Sequence, residues 1–404
     1  MTESLRFVML SPRHPSDDSV GVANVISHMA RRWAKAGHQV RVCYPRGAPP
    51  GDLPAVWEGV QAVPMDLHPR AHVPKSLEAE TGKAMAREAR SGCDVAISNN
   101  EWGADLPSRR RGDGVLALLM MHGLALHFMR LERATRRGIR PRLGYLADLR
   151  AVRRLEGGAV ARADLVVAVS KKVLHEVEMT YRLDPSRGMA IYNGSEQVPP
   201  PALGEREAAR ASLAIGPEER LAVLVGGDPY RKGLDVAERA VAHLRASGRK
   251  VTLVTVGSTP PSSSRESEGV RSLGRVSDAM LRQVLVAGDA LLVPSRYEGF
   301  PMIAQEAAGL GLPVVASEGS GLDIGTPGRD FLQPATTSAE DWGRALLELL
   351  ADEPRRTALA ARGARVLAQR SYDAMAADYL RAIRRALDAG APSEQAERPG
   401  APVG

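Results

Sequence analysis

The chain has 404 residues, 44% hydrophobic and 25% charged, with a net charge of +7 and two cysteines. That balance is ordinary for a globular protein and is long enough for two domains, each burying its own core. It excludes a disulfide framework or cysteine metal cluster: Cys43 and Cys93 fall in apolar strand-like segments and read as reduced thiols of a cytosolic protein.

No run of 18 apolar residues offers a membrane span, and the opening stretch is interrupted by Arg6, unlike a signal peptide. The positive charge is concentrated. Between Glu101 and Arg162 there are 13 Arg and no Lys against 6 acidic residues, a net +7 that equals the excess of the whole chain. Such a segment is either a solvated helical face or, over residues 109–154, a basic surface for an anionic membrane or acceptor. Its only aromatics are Trp102, Phe128 and Tyr145, and no nucleic-acid motif is present, so a nucleic-acid partner is not expected.

Strands and helices alternate along the chain. Leu5–Leu10 reads as a strand followed by a polar loop, Ser11–Ser19. From Gly21 to about Ala36, Val22, Val25, Ile26, Met29 and Trp33 recur at helical spacing, and Gly37-His38 ends the helix. Gln39–Tyr44 is a second strand and Pro45–Pro54 a loop. Cys93–Ser98, Val115–Met121 and Leu165–Val169 are short continuous apolar runs, as buried strands are, and Ala190–Tyr192 leads into Asn193-Gly194.

Pro199–Ala202, followed by charged residues, reads as the domain boundary. A second unit runs through strand Leu221–Val225, Gly226-Gly227, helix Leu234–Ala246 and strand Val251–Val256. Pro260–Ser267 is a polar loop. Helices follow at Trp342–Leu350, Arg355–Gln369 and Tyr372–Leu387, and the Gly/Ala/Pro-rich tail after Ala389 is expected to be disordered. This alternation argues for α/β architecture with parallel, doubly wound sheets.

The most informative stretch is 290–317. Ala290–Pro294 is a buried strand, Ser295–Gly299 a polar turn, and Phe300-Pro301-Met302 opens a helix with Pro in its first turn. The helix carries Glu306, ends at Gly309/Gly311, and leads to the strand Leu312–Ala316. Ligands of open α/β sheets bind at the carboxyl ends of strands, where helix N-termini offer free N–H groups to phosphates. Glu298 and Glu306 at this place suit a sugar nucleotide, the carboxylates accepting hydroxyl protons while backbone amides hold the diphosphate.

Lys232, on a turn before a helix, is either a point cation for phosphate or a surface lysine. Gly21, at a helix start, either lets backbone N–H groups approach a diphosphate or makes a plain tight turn. His122, after the run Val115–Met121, is a site residue or a structural histidine. No Asp-x-Asp pair accompanies these residues, so no bridging metal is expected. There is no P-loop, and Gly319-x-Gly321-x-x-x-Gly325 is one residue too long for a dinucleotide fingerprint; no cofactor is expected.

The run Glu298-Gly299-Phe300-Pro301, with Glu306 and then Pro313–Ser317, resembles the Glu-x7-Glu signature of the retaining GT-B glycosyltransferases of family 4. The resemblance extends nearly to residue 388. Gly21 matches the second glycine of the family's N-terminal Gly-Gly loop, with Val20 in place of the first; Arg154–Glu156, Ala163-Asp164 and Asn193-Gly194 match the approach to the interdomain crossover. Arg231–Asp235 matches the segment after the first strand of the C-terminal domain, where Gly227 replaces a frequent arginine and Arg231 is the candidate substitute.

The resemblance implies two Rossmann-like domains facing a cleft: an acceptor-binding domain at 1–192 completed by a returning helix at 372–388, and a nucleotide-sugar-binding domain at 193–371, with a tail at 389–404. It implies retaining, metal-independent transfer from a nucleoside-diphosphate sugar to an acceptor hydroxyl of a lipid, polysaccharide or small natural product. Glu298 and His122 are then the catalytic candidates. Gly21, Arg231, Lys232, Val276, Gly299, Phe300, Pro301, Met302 and Glu306 are the donor-binding ones, with the backbone of Gly274–Val276 reading the base. The enzyme would be cytoplasmic, with peripheral attachment to the inner membrane face through residues 109–154 left open. Alternatives are a sugar-nucleotide epimerase on this fold and a non-catalytic nucleotide-sugar-binding protein.

Overall fold

Eight strands of the N-terminal half form one sheet and five of the C-terminal half another. The computed structural model describes residues 3–16, 21–45, 54–65, 74–135, 141–257 and 269–389. The Val20 position, most of the loop Pro45–Pro54, the loop Pro260–Ser267 and the tail after Ala389 lie outside the described residues.

In chain order the first domain comprises β1 (Arg6–Leu10), α1 (Gly21–Lys35), β2 (Gln39–Pro45), β3 (Val56–Trp57), β4 (Val60–Met65), α2 (Pro74–Arg90), β5 (Val95–Asn99), β6 (Leu116–Met121), α3 (Ala125–Thr135), α4 (Pro141–Arg162), β7 (Leu165–Ala168), α5 (Lys171–Tyr181) and β8 (Gly188–Ala190). The sheet order is β3-β4-β2-β1-β5-β6-β7-β8, parallel throughout except for the β3–β4 hairpin. That hairpin turns on Glu58 and Gly59, both at positive φ, as a two-residue turn requires.

The second domain comprises α6 (Glu205–Ser212), β9 (Arg220–Val225), α7 (Leu234–Ala246), β10 (Val251–Val256), β11 (Val270–Ser272), α8 (Asp278–Ala287), β12 (Ala290–Val293), α9 (Met302–Gly309), β13 (Val314–Ala316), α10 (Ala339–Ala351) and α11 (Glu353–Leu367). Its sheet, β11-β10-β9-β12-β13, is wholly parallel. Every residue of β6 and β10 is buried; β6 accordingly reads as an unbroken apolar run, while β10 is β-branched and apolar with two buried threonines, Thr252 and Thr255.

The last helix, α12 (Tyr372–Ala389), crosses back to the first domain as expected. Tyr372, Met375, Ala376, Tyr379, Ala382 and Ile383 form a stripe at helical spacing, buried with Ile26, Met29 and Trp33 of α1. Trp33 Nε1 donates to the Ala376 carbonyl at 3.1 Å. The two chain crossings lie against each other: Ser195 N donates to Arg370 O, and a Cβ on Gly194 would sit 2.5 Å from Tyr372 N.

The largest apolar cluster does not stop at the domain boundary. It joins Met121, Val166, Val169 and Val173 of the first domain to Val223, Val293, Phe300 and Ala304 of the second. The Arg-rich segment, by contrast, is distributed over separate elements. The backbone N–H groups of Arg109, Arg110 and Ala117 all donate to Asp164, which ties residues 109–110 to the start of β6, away from the strand ends that face the cleft. Arg150, Arg153 and Arg154 are exposed on α4.

Some expectations shift by a residue or two. The strand expected at Ala190–Tyr192 is Gly188–Ala190, and α9 begins at Met302, with Pro301 in the cap position at φ −85° and ψ 88° rather than inside the first turn. The elements β3, β4, α2, α3, α4, α5, α6, α8 and β11 are additional to those assigned a range from the sequence.

Candidate active site

The carboxyl ends of both sheets face each other, and the strand-end residues of each domain form one wall. On the first wall, His122 follows β6. Its Nε2 lies 2.9 Å from Asn99 Oδ1, while Asn99 Nδ2 donates to the Leu10 carbonyl at 2.8 Å. Because the Asn99 oxygen is the acceptor, His122 carries its proton on Nε2 and offers Nδ1 as a lone pair. Burial pushes its pKa down to about 4, so the ring is neutral at physiological pH. The His122 N–H is fixed in turn by Asn100 Oδ1 at 2.9 Å.

On the second wall, Lys232 sits just ahead of α7 and Glu298 follows β12; β9 and β12 are neighbours, so the two side chains meet. Lys232 Nζ is 2.8 Å from Glu298 Oε2, and Ser295 Oγ donates to Glu298 Oε1. Two glycines shape the path of the lysine. A Cβ on Gly226 would stand 2.6 Å from the Lys232 side chain, and one on Gly233, whose φ is 71°, would strike the Pro294 carbonyl. Arg296 bonds both oxygens of Asp235 at 2.8 Å and so anchors the glutamate loop to α7, holding the Asp235 carboxyl below its usual range. Arg231 reaches across the cleft: its guanidinium lies 5.9 Å from the centre of the Phe128 ring on α3.

The glutamate loop is also fastened to the first domain. Tyr297 accepts from Leu124 N and donates to Glu176 Oε2, both at 2.7 Å, and Ser170 Oγ donates to the Gly299 carbonyl at 2.7 Å. A side chain on Gly299 would run into the His122 carbonyl oxygen. The Gly-Phe-Pro run thus has a packing reason beside its expected ligand role. Phe300 is 7% exposed and belongs to the shared core, and Pro301 is buried at the α9 cap. Met302 opens α9, where the first N–H groups have no intrahelical acceptor.

Glu306, on α9, occupies a different setting. It lines a 520 Å³ cavity with Asn24 and His28 of α1, Asp278 and Arg282 of α8, and Tyr372 of α12. Burial first, and then the charge of Asp278, push its carboxyl up to about 7. Opposite it the His28 ring stacks on Tyr372 at 3.7 Å, and burial together with Arg31 and Arg32 pushes its pKa down to about 3. Val276 precedes α8, whose cap is Ser277, and Gly274 accepts from Gly257 N at 2.6 Å, so the 274–276 segment lies at the same edge of the sheet.

Gly21 opens α1 with an ordinary φ and with nothing within 4 Å of where a Cβ would be. No packing within the described residues calls for a glycine there. Among the described residues no group of three or more His, Cys, Asp and Glu is arranged to hold a metal ion. Sequence reasoning missed Ser295, Asn99, Asp278 and His28. Only Ser295, three residues before Glu298, carried a local signal.

Two facing parallel-sheet domains with a returning terminal helix define a GT-B fold. Residues 219–352 match the family described as glycosyl transferases group 1, and residues 20–196 match glycosyltransferase family 4. The chain belongs to the family 4, group 1 glycosyltransferases.

The D-inositol 3-phosphate glycosyltransferase of Segniliparus rotundus is 29% identical over 257 residues, 58% of this chain and 55% of that protein. The chain thus spans just over half the length of the curated relatives it matches. Among solved structures, a sucrose-phosphate synthase from Thermosynechococcus elongatus superposes with a TM-score of 0.76 at 21% identity, covering 95% of this chain and 100% of its own. Anabaena HepE in complex with UDP-glucose gives 0.68 at 15% identity, covering 95% and 100%.

Proposed function

We propose that the protein transfers a glycosyl group from a nucleoside-diphosphate sugar to an acceptor hydroxyl, with retention of configuration and without a metal ion. The observation that carries this reading is the Lys232–Glu298–Ser295 cluster, set between the α9 start and the neutral His122. Family membership and the UDP-glucose bound by HepE support the same donor class.

In this reading Lys232 and Arg231 neutralise the departing diphosphate, assisted by the free N–H groups at the starts of α1 and α9. Glu298 and the backbone of Gly299–Met302 hold the sugar hydroxyls, and the His122 Nδ1 lone pair accepts a further hydroxyl proton. Glu306 takes the ribose side, and the 274–276 backbone reads the base. The bond from the anomeric carbon to phosphate breaks and one to the acceptor oxygen forms; the acceptor proton passes to the departing phosphate. Glu298 is held by two donors, which suits holding hydroxyls better than attacking the anomeric carbon.

Acceptors bind against the first domain, and the name of the curated relatives makes a phosphorylated polyol the first to try. The protein acts in the cytoplasm, where exposed arginines of α4 meet an anionic acceptor or membrane surface. The test is incubation with UDP-, GDP- and ADP-sugars plus inositol phosphate and related acceptors, in excess EDTA, with the anomeric linkage read by NMR. Retained product formed in EDTA is the expected result. Activity abolished by chelation and restored by Mg²⁺ or Mn²⁺ overturns the charge assignment to Lys232 and Arg231, and an isomerised donor sugar without transfer indicates the epimerase.

A further inference from the structure

Lys232 and Glu298 neutralise each other: 66 positions apart, they meet at 2.8 Å with side chains only 14% and 9% exposed. Yet a bound donor needs each of them elsewhere, the ammonium on the diphosphate and the carboxylate on the sugar hydroxyls. We infer that the Lys232–Glu298 ion pair is a partner-exchange switch, by which the site distinguishes an intact nucleotide sugar from the nucleoside diphosphate left after transfer, and so promotes product release. The inference rests on the donor reading above.

An intact donor replaces both halves of the pair at once. Phosphate oxygens take the ammonium, and sugar hydroxyls donate to the carboxylate that the ammonium has left. The bare diphosphate replaces only one half. If it draws Lys232 away, Glu298 stays almost buried with the Ser295 hydroxyl as its remaining donor. Removing one partner of a desolvated pair is strongly unfavourable, because the other charge remains buried without compensation. Once the sugar has departed, Glu298 therefore competes with the diphosphate for Lys232. Arg296, locked to Asp235, holds the loop so that the carboxylate returns to the same ammonium.

Simple repulsion between Glu298 and the diphosphate would also weaken product binding, but it would act whether or not Lys232 were present. That difference is measurable. UDP, GDP and ADP, and the corresponding glucose nucleotides, are titrated calorimetrically into the wild-type chain, Glu298→Gln, Lys232→Met and the double variant. Glu298→Gln is expected to bind the preferred diphosphate about tenfold more tightly and its nucleotide sugar no more tightly. In the Lys232→Met background the Glu298→Gln change is expected to have no effect on the diphosphate. Glu298→Ala also removes the charge and is expected to behave alike, and it serves if the glutamine variant does not fold. A Glu298→Gln affinity within about twofold of wild type overturns the switch, as does equal tightening in the Lys232→Met background. A wild-type chain that binds none of these nucleotides overturns the donor reading, and the switch with it.

Discussion

Glu298 and Glu306 lie eight residues apart in one loop and helix, and their surroundings are opposite. Glu298 is paired with the Lys232 ammonium and receives the Ser295 hydroxyl. Glu306 faces a cavity where burial and Asp278 both disfavour its charge and push its carboxyl up to about 7. The spacing of a motif fixes where its side chains start, while the elements packed over them decide which protonation state is favoured. One glutamate is closed off by two partners, and the other looks into a cavity that disfavours its charge.

The largest effect is expected from breaking the supported side. With Lys232 in its proposed role as the cation on the departing diphosphate, Lys232→Met should reduce transfer by roughly 100-fold or more. It should also destabilise the fold by about 3–5 kcal/mol, since it leaves Glu298 nearly buried and unpaired. Adding Glu298→Gln should restore most of that stability and none of the activity. Urea unfolding of the single and double variants checks this, and equal stability of the two would show that the pair does not act as a unit.

The unsupported side sets the pH dependence. Glu306 has a folded-state value of about 7 against an ordinary 4.5, so between these limits the folded chain holds a proton that the unfolded chain has released. Its contribution to stability is therefore fully present below 4.5, declines as pH rises, and is lost above about 7, by up to about 3 kcal/mol. Glu306→Gln should flatten this part of the stability profile, measured by unfolding at pH 5 and pH 8. An unchanged profile would place the titration elsewhere.

Smaller effects sharpen the contrast. Tyr297→Phe removes the hydroxyl that receives Leu124 N–H and binds Glu176, and should cost about 1–3 kcal/mol. Its rate defect should exceed its loss of diphosphate affinity, because Tyr297 fastens the Glu298 loop to the opposite domain. Gly21→Ala should leave stability within about 0.5 kcal/mol, there being room for the methyl group, while calorimetry shows weaker diphosphate binding. A destabilised Gly21→Ala would instead mean that this glycine serves the fold.

The sheets were legible because parallel strands buried on both faces are apolar or β-branched throughout, as the run Leu116–Met121 and the Val/Thr/Leu strand Val251–Val256 are. The two-residue strand β3 is too short to show a period, and α2 has only Leu77 and Met85 as large apolar residues. The site was legible as a motif but not as an arrangement. Lys232 meets Glu298 only because β9 and β12 are neighbours, which no local pattern announces. The cavity around Glu306 draws on α1, α8 and α12, segments far apart in the sequence. Phe300 looked like part of the ligand-binding run and is largely core, because Gly299 brings the loop flush against His122.

The apolar cluster that ignores the domain boundary bears on how this chain can be recombined. Halves severed near Pro199–Ala202 would each present the Met121–Val173 or the Val293–Ala304 surface to water, and the first would also lack α12 over Trp33. Neither fragment is then an independent folding unit, and heat should melt the intact chain in a single calorimetric transition. A chimera that exchanges the N-terminal half must carry residues 372–389 along with it, and must match both sides of that shared seam.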